Sequence, residues 1–328
     1  MTELRHGYVY TNGIRMHYVE QGEGPMVLLC HGWPEFWYSW RHQIPALAAA
    51  GFRVVAPDQR GYGETDAPDE VESYTQLNLV ADLVGLVQEL GEDKSFIVGH
   101  DVGSAVAASA SLLRPDMFRA LGLLSVPYMP RQKLRPAVRF DVVSQEKQFY
   151  QRYFQRRNHV ERELEEDLAR SLTGIFYTAS GEARSGDQES TFIFFDKASR
   201  LVDNFHMPNR LPPWLSQADL DNYVAAFKRS GFRGPINWYR NFDLNWELLP
   251  FLDGAKILQP AVFATGSLDG VLKFTGSAYE DLETNVPRLV GKHLIPGVGH
   301  WVQQERPTEI NELLIGFFKE QVERGCLA

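Results

Sequence analysis

The chain has 328 residues, 44% hydrophobic and 23% charged, which allows a sizeable buried core in one large domain or a core carrying an insertion. A net charge of −9 without any basic stripe excludes nucleic acid and anionic membranes as expected partners. No window approaches the roughly 18 apolar residues of a membrane span, and Met1-Thr2-Glu3-Leu4-Arg5-His6 does not suit a signal peptide. Cys30 and Cys326 have neither disulfide-framework nor metal-ligand spacing, so two thiols in a reducing cytoplasm are expected.

Tyr8-Val9-Tyr10 and the stretch 14–18 alternate as strands around Asn12-Gly13, a two-residue hairpin turn. Met26-Val27-Leu28-Leu29-Cys30 is a continuous apolar run, which predicts a strand buried on both faces. A helix over 40–50 closing at Gly51 and a strand over 52–56 follow. Val80, Leu83, Val84, Val87 and Leu90 recur at helical spacing and stop at Gly91. Residues 95–98 predict a strand, 104–113 an alanine-rich helix, and 120–126 a further strand. Strands alternating with helices imply a mostly parallel α/β sheet, helices on both faces, with the opening hairpin antiparallel.

From about Pro127 the pattern changes. Residues 129–257 lack clean strand runs, carry charged helical segments at 161–172 and 217–229, and hold half of the chain's aromatic residues. A second helical layer with its own aromatic core accounts for most of these rings, and some are free to line a pocket against the sheet. Strand patterns resume at 261–266 and 293–296, and Ile310, Leu313, Leu314, Phe317 and Phe318 mark a final amphipathic helix. The expected division is a core over 1–128, a helical cap over 129–257, and the rest of the core over 258–328.

Gly99-His100-Asp101-Val102-Gly103 lies between a strand and a helix, the context of a nucleophile elbow, with an aspartate where serine usually sits. Carboxylate attack on an acyl group gives an anhydride, a poor hydrolytic intermediate. Attack on a saturated carbon gives an ester that water can cleave, whereas serine there would give an inert ether. Asp101 therefore points to displacement at an sp³ carbon followed by ester hydrolysis.

Such a nucleophile needs a base to activate water and a carboxylate to orient the base. In elbow proteins these come in the order nucleophile, acid, base, which selects Asp269 after the strand at 261–266 and His300 after the last strand. The loop His31-Gly32-Trp33-Pro34-Glu35 is placed to supply one oxyanion-hole N–H from Trp33, with a second from Val102. Pro34 restricts Trp33 to extended backbone, in a peptide bond open to the cis form. His31 and His100 read as structural side chains.

Those segments, with Asp58-Gln59-Arg60-Gly61-Tyr62-Gly63 and Gly299-His300-Trp301-Val302-Gln303-Gln304-Glu305-Arg306-Pro307, resemble the α/β-hydrolase fold family and, within it, the soluble epoxide hydrolases. Phe149-Tyr150-Gln151-Arg152-Tyr153-Phe154-Gln155 and Ile236-Asn237-Trp238-Tyr239-Arg240-Asn241 resemble that family's lid segments. The resemblance implies that Tyr150 and Tyr239 bind the epoxide oxygen, although Tyr153 lies one turn from Tyr150 and competes for the first role. It implies a substrate site formed by Trp33, Tyr150, Tyr239 and Trp301, a small-molecule epoxide and water as reactants, and no metal or organic cofactor. A phenol, pKa ≈ 10, can protonate a nascent alkoxide yet stays protonated at neutral pH.

Many relatives carry Trp after the nucleophile, where this chain has Val102. A haloalkane dehalogenase, the nearest rival, uses that indole to hold a departing halide, and Val102 offers none. A silent ligand-binding relative is the other alternative; the presence of Asp101, Asp269, His300 and both tyrosines argues against it. An apolar-lined lid favours aryl or alkyl epoxides over charged ones. A homodimer is compatible with the sequence.

Overall fold

A computed structural model describes residues 3–183 and 192–327, so Met1, Thr2, Ala328 and residues 184–191 of the aromatic-rich stretch lie outside it. β1 (Arg5–Thr11) and β2 (Ile14–Gln21) form the expected antiparallel hairpin, with Asn12 and Gly13 both at positive φ, 44° and 77°. That pair of left-handed residues matches the right-handed twist of the flanking strands. β3 (Met26–Cys30), β4 (Arg53–Pro57), β5 (Ser95–His100), β6 (Phe118–Leu124), β7 (Ala261–Gly266) and β8 (Leu289–Ile295) complete one sheet in the order β1-β2-β4-β3-β5-β6-β7-β8. All pairs from β4 to β8 are parallel, and β2 joins β4 antiparallel.

The apolar run of β3 divides its side chains by strict alternation. Val27 and Leu29 enter one hydrophobic layer with Phe96, Val98 and Phe318, while Leu28 and Cys30 enter the other with Ile97, Leu83 and Val106. Burying each such side chain contributes about 1.5–3 kcal/mol, so a central strand with no polar face is stabilised from both sides. Helices α1 (Gln43–Ala49), α2 (Gln76–Glu89) and α3 (Val102–Leu113) follow β3, β4 and β5. The helix expected at 40–50 begins instead as a 3₁₀ turn over Trp37–Trp40 and becomes α1 only at Gln43.

The chain leaves β3 toward β4 on one side and returns to β5 on the other. The carboxyl ends of β3 and β5 therefore flank the sheet's switch point, where open α/β sheets leave a crevice. Above it lies the insertion between β6 and β7. It contains α4 (Pro136–Val143), α5 (Tyr150–Tyr153), α6 (Val160–Glu165), α7 (Leu168–Thr178), α8 (Gln217–Ser230), α9 (Arg233–Arg240) and α10 (Phe242–Leu248). The single charged helix expected at 161–172 is broken, because Asp167 turns extended at φ −146° and caps α7 by accepting the Arg170 N–H at 2.9 Å. A two-residue ladder, Gln148–Phe149 with Phe194–Phe195, was not expected there. The last helix, α11 (Pro307–Glu323), buries Ile310, Leu314, Phe317 and Phe318 against the sheet.

Named polar contacts fasten the insertion to the core. Arg41 pairs with Asp219 of α8 at 3.0 Å and donates to the Gln304 side chain at 2.7 Å and the Trp214 carbonyl at 3.1 Å. The Trp238 indole of α9 donates to the Arg60 carbonyl at 3.0 Å. Gly61, at φ 86°, lies so close to Gly234 that a Cβ on it would come within 2.9 Å of the Gly234 Cα. The Asp58–Gly63 segment thus seats the helix that carries Tyr239. Both cysteines are free thiols, and among the described residues no helix is long and apolar enough to cross a membrane.

Candidate active site

Asp101 stands between β5 and α3 at φ 53°, a left-handed conformation that non-glycine residues adopt at a cost of about 1–3 kcal/mol. The turn closes because its neighbours lack side chains: a Cβ on Gly99 would overlap the Gly103 carbonyl, and one on Gly103 would overlap the Cys30 carbonyl. The Trp33 N–H, from the loop after β3, donates to Asp101 Oδ1 at 2.9 Å, and the Trp33–Pro34 peptide is cis. Val102 opens α3, so its N–H has no partner within the helix.

His300 follows β8 and meets both aspartates. Its Nδ1 is 3.0 Å from Asp269 Oδ2 and its Nε2 is 3.4 Å from Asp101 Oδ2. Asp269 is itself fixed by the Val271 N–H at 2.9 Å. Burial alone would lower the His300 pKa, but the carboxylates of Asp269 and Asp101 outweigh it and hold the imidazole well above its ordinary value. For Asp101, burial raises the pKa, yet His300, the nearby His100 and the Trp33 N–H together leave it below the usual carboxylate value. The resting site is therefore a buried ion pair with an anionic Asp101.

Tyr150 and Tyr239 close the site from α5 and α9, their rings 6.0 Å apart and both buried. Burial and the nearby Asp101 carboxylate raise both phenols, so each keeps its proton. The Gln151 amide donates to the Tyr150 oxygen at 2.8 Å, which pulls the other way. Tyr153 points elsewhere: its hydroxyl donates to Glu163 at 2.6 Å and faces His159 at 2.8 Å. Of the two candidates, Tyr150 reaches the site.

Two cavities share Asp101, Tyr150 and Val271 as walls. The smaller, about 30 Å³, also touches Trp33, Tyr239, Asp269, His300 and Trp301. The larger, about 280 Å³, runs along Val102, Leu112, Tyr128, Trp238 and Trp246. Trp301 packs edge-on against the His300 ring, and its indole is tied to the Phe176 carbonyl at 2.8 Å.

Four buried polar side chains support this site, of which Glu35 and Glu305 gave little sequence signal. Glu35 is fully buried and accepts the Gly32 N–H, His100 Nδ1, and the Gln303 and Gln304 amides at 2.7–3.0 Å. His100 spans from Glu35 to the His300 carbonyl, 2.9 Å from its Nε2, so both ring nitrogens face acceptors. His31 is the structural side chain expected, accepting the Gln59 N–H at 3.0 Å. Glu305 accepts the N–H groups of Gly181, Gly299 and Trp301 at 2.9–3.1 Å, and the His300 N–H donates to the Ala179 carbonyl at 2.8 Å. The loop carrying His300 is thus stitched to the insertion.

A mostly parallel sheet that brings Asp101, Asp269 and His300 together at its strand ends has the layout of the α/β-hydrolase class, and residues 25–307 match the family described as alpha/beta hydrolase fold. The chain is 43% identical to epoxide hydrolase A of Mycobacterium tuberculosis over 94% of this chain and 95% of that protein. It is 40% identical to epoxide hydrolase 3 of Siraitia grosvenorii, covering 98% and 100%. The solved epoxide hydrolase from an endophytic Streptomyces superposes with a TM-score of 0.94 at 44% identity, covering 98% and 96% of the two chains. The chain belongs to the α/β-hydrolase fold family and, within it, to the epoxide hydrolases.

Proposed function

We infer that the protein hydrolyses epoxides to vicinal diols through an ester on Asp101, with residues 129–257 acting as the cap. The observation that carries this reading is the meeting of an anionic aspartate and two protonated tyrosines across one cavity. A carboxylate oxygen of Asp101 attacks an epoxide carbon, the C–O bond breaks, and its electron pair passes to oxygen. Tyr150 and Tyr239 donate hydrogen bonds to that oxygen, and one of them transfers its proton, leaving a hydroxyl and a tyrosinate.

Alkylation removes the Asp101 charge. One of the carboxylates that raised His300 is then gone, and the imidazole passes its proton to the tyrosinate, which restores the phenol and leaves a neutral base held by Asp269. His300 takes a proton from water, the oxygen attacks the ester carbonyl, and the resulting oxyanion is held by the N–H groups of Trp33 and Val102. Collapse breaks the ester C–O bond, the departing alkoxide takes the proton from His300 to complete the diol, and the Asp101 carboxyl proton passes to His300, which restores the ion pair. Incubation with styrene oxide and with 1-bromobutane tests the assignment: diol without halide is expected. Halide release with little or no diol would assign a dehalogenase to the same triad.

A further inference from the structure

The wall of the larger cavity is less apolar than its aromatic rings suggested. Arg139 lies on α4, half-buried, and lines the same space as Asp101, Val102 and Tyr150. Among the described residues its guanidinium pairs with no carboxylate; it lies 6.0 Å from the Phe140 ring centre and interacts electrostatically with Tyr150. Neighbouring carboxylates are engaged by other arginines: Asp243 and Glu247 pair with Arg135, and Asp141 pairs with Arg152. Arg131, the other cation on the wall, stacks on Trp246 at 3.9 Å and donates to its carbonyl at 3.1 Å.

The anion on that wall is Asp101, which is already paired with His300. A cation removed from water without a partner costs free energy, and in a cleft that imbalance marks a place where a ligand completes the pair. Burial also pushes the Arg139 guanidinium below its ordinary value, which a bound anion would oppose. We propose that Arg139 is a specificity residue that receives a carboxylate on the far arm of the substrate while the oxirane sits between Asp101 and the tyrosines. The substrate class is thus an epoxide bearing an anionic arm. Guanidinium and carboxylate match as a two-bond fork, so the contact sets orientation as well as affinity.

This inference rests on the epoxide-opening activity and is tested beside it. A homologous series of terminal-epoxide carboxylic acids is assayed against the corresponding methyl esters, with styrene oxide as an uncharged reference. The native protein should favour the acid by about tenfold or more in kcat/KM at one preferred chain length. R139Q should bring that ratio close to one, chiefly through KM for the acid, and R139E should invert it. Because the ratio in the native protein needs no variant, a folding failure cannot hide the answer. Equal use of acid and ester at every length, or a preference that survives in R139Q, would overturn the role of Arg139 while epoxide hydrolysis stands. Absence of diol from every epoxide, styrene oxide included, would overturn the activity and this inference with it.

Discussion

The floor and the roof of the cavity are held by different physics. On the floor, Asp101, Asp269 and His300 follow the carboxyl ends of parallel strands; loop N–H groups hold both aspartates, and the His300 backbone N–H is held by the Ala179 carbonyl. On the roof, Tyr150 and Tyr239 are held by ring packing against Phe149, Phe154 and Phe242 and by straps such as Trp238 to Arg60. Backbone-fixed groups suit a nucleophile and base that must meet at hydrogen-bond distance. Ring packing tolerates variation in volume, which suits the part of the site that adapts to substrate.

Breaking the floor should cost most. D101A should abolish diol formation, a loss of about 10⁴-fold or more, while the unfolding midpoint stays near that of the native protein; retained turnover would remove Asp101 from the chemistry. Breaking the roof should cost less per residue. Y150F and Y239F keep the ring and remove one proton, so single-turnover ring opening should slow by about 10–10³-fold for each, and nearly stop in the double variant. Y153F should be close to silent, since its hydroxyl serves Glu163; the opposite ranking would misassign the first lid tyrosine.

V102W sharpens the boundary between the two regions. The added indole fills part of the 280 Å³ chamber beside Asp101, so bulky epoxides should lose turnover before small ones. A uniform loss across substrate sizes would show instead that the elbow itself had moved. The smallest expected effect is on stability. Asp269 and Asp101 outweigh burial and raise the folded-state pKa of His300 above its unfolded value near 6.5. The stabilisation this linkage supplies is complete below that pH and fades as pH climbs through the folded value. The difference in unfolding midpoint between native protein and H300Q should therefore narrow from acidic to alkaline buffer, and a gap that widens would reverse the sign.

The floor was legible because its signals are local. The β5 strand, Asp101 between close-packed glycines, and the order Asp101, Asp269, His300 all follow from short stretches whose structure depends on their own residues. The roof was legible only in outline. Ring enrichment pointed to a lid, but the choice between Tyr150 and Tyr153 turns on where Glu163 lies, a contact ten residues away that no periodicity encodes. The break at Asp167 had the same origin, a side chain that caps one helix by ending another. Arg139 carries no sequence signal because its meaning lies in its surroundings: among the described residues, Asp243, Glu247 and Asp141 pair with other arginines, which is visible only in three dimensions.

The most direct measurement is intact-protein mass spectrometry of H300Q after a single exposure to styrene oxide. Without the base, attack by Asp101 can proceed but the ester cannot be hydrolysed, so the protein mass should rise by that of one epoxide. Peptide mapping should place the addition on Asp101. An unmodified mass while the native protein still forms diol, or an adduct on another residue, would contradict the covalent mechanism.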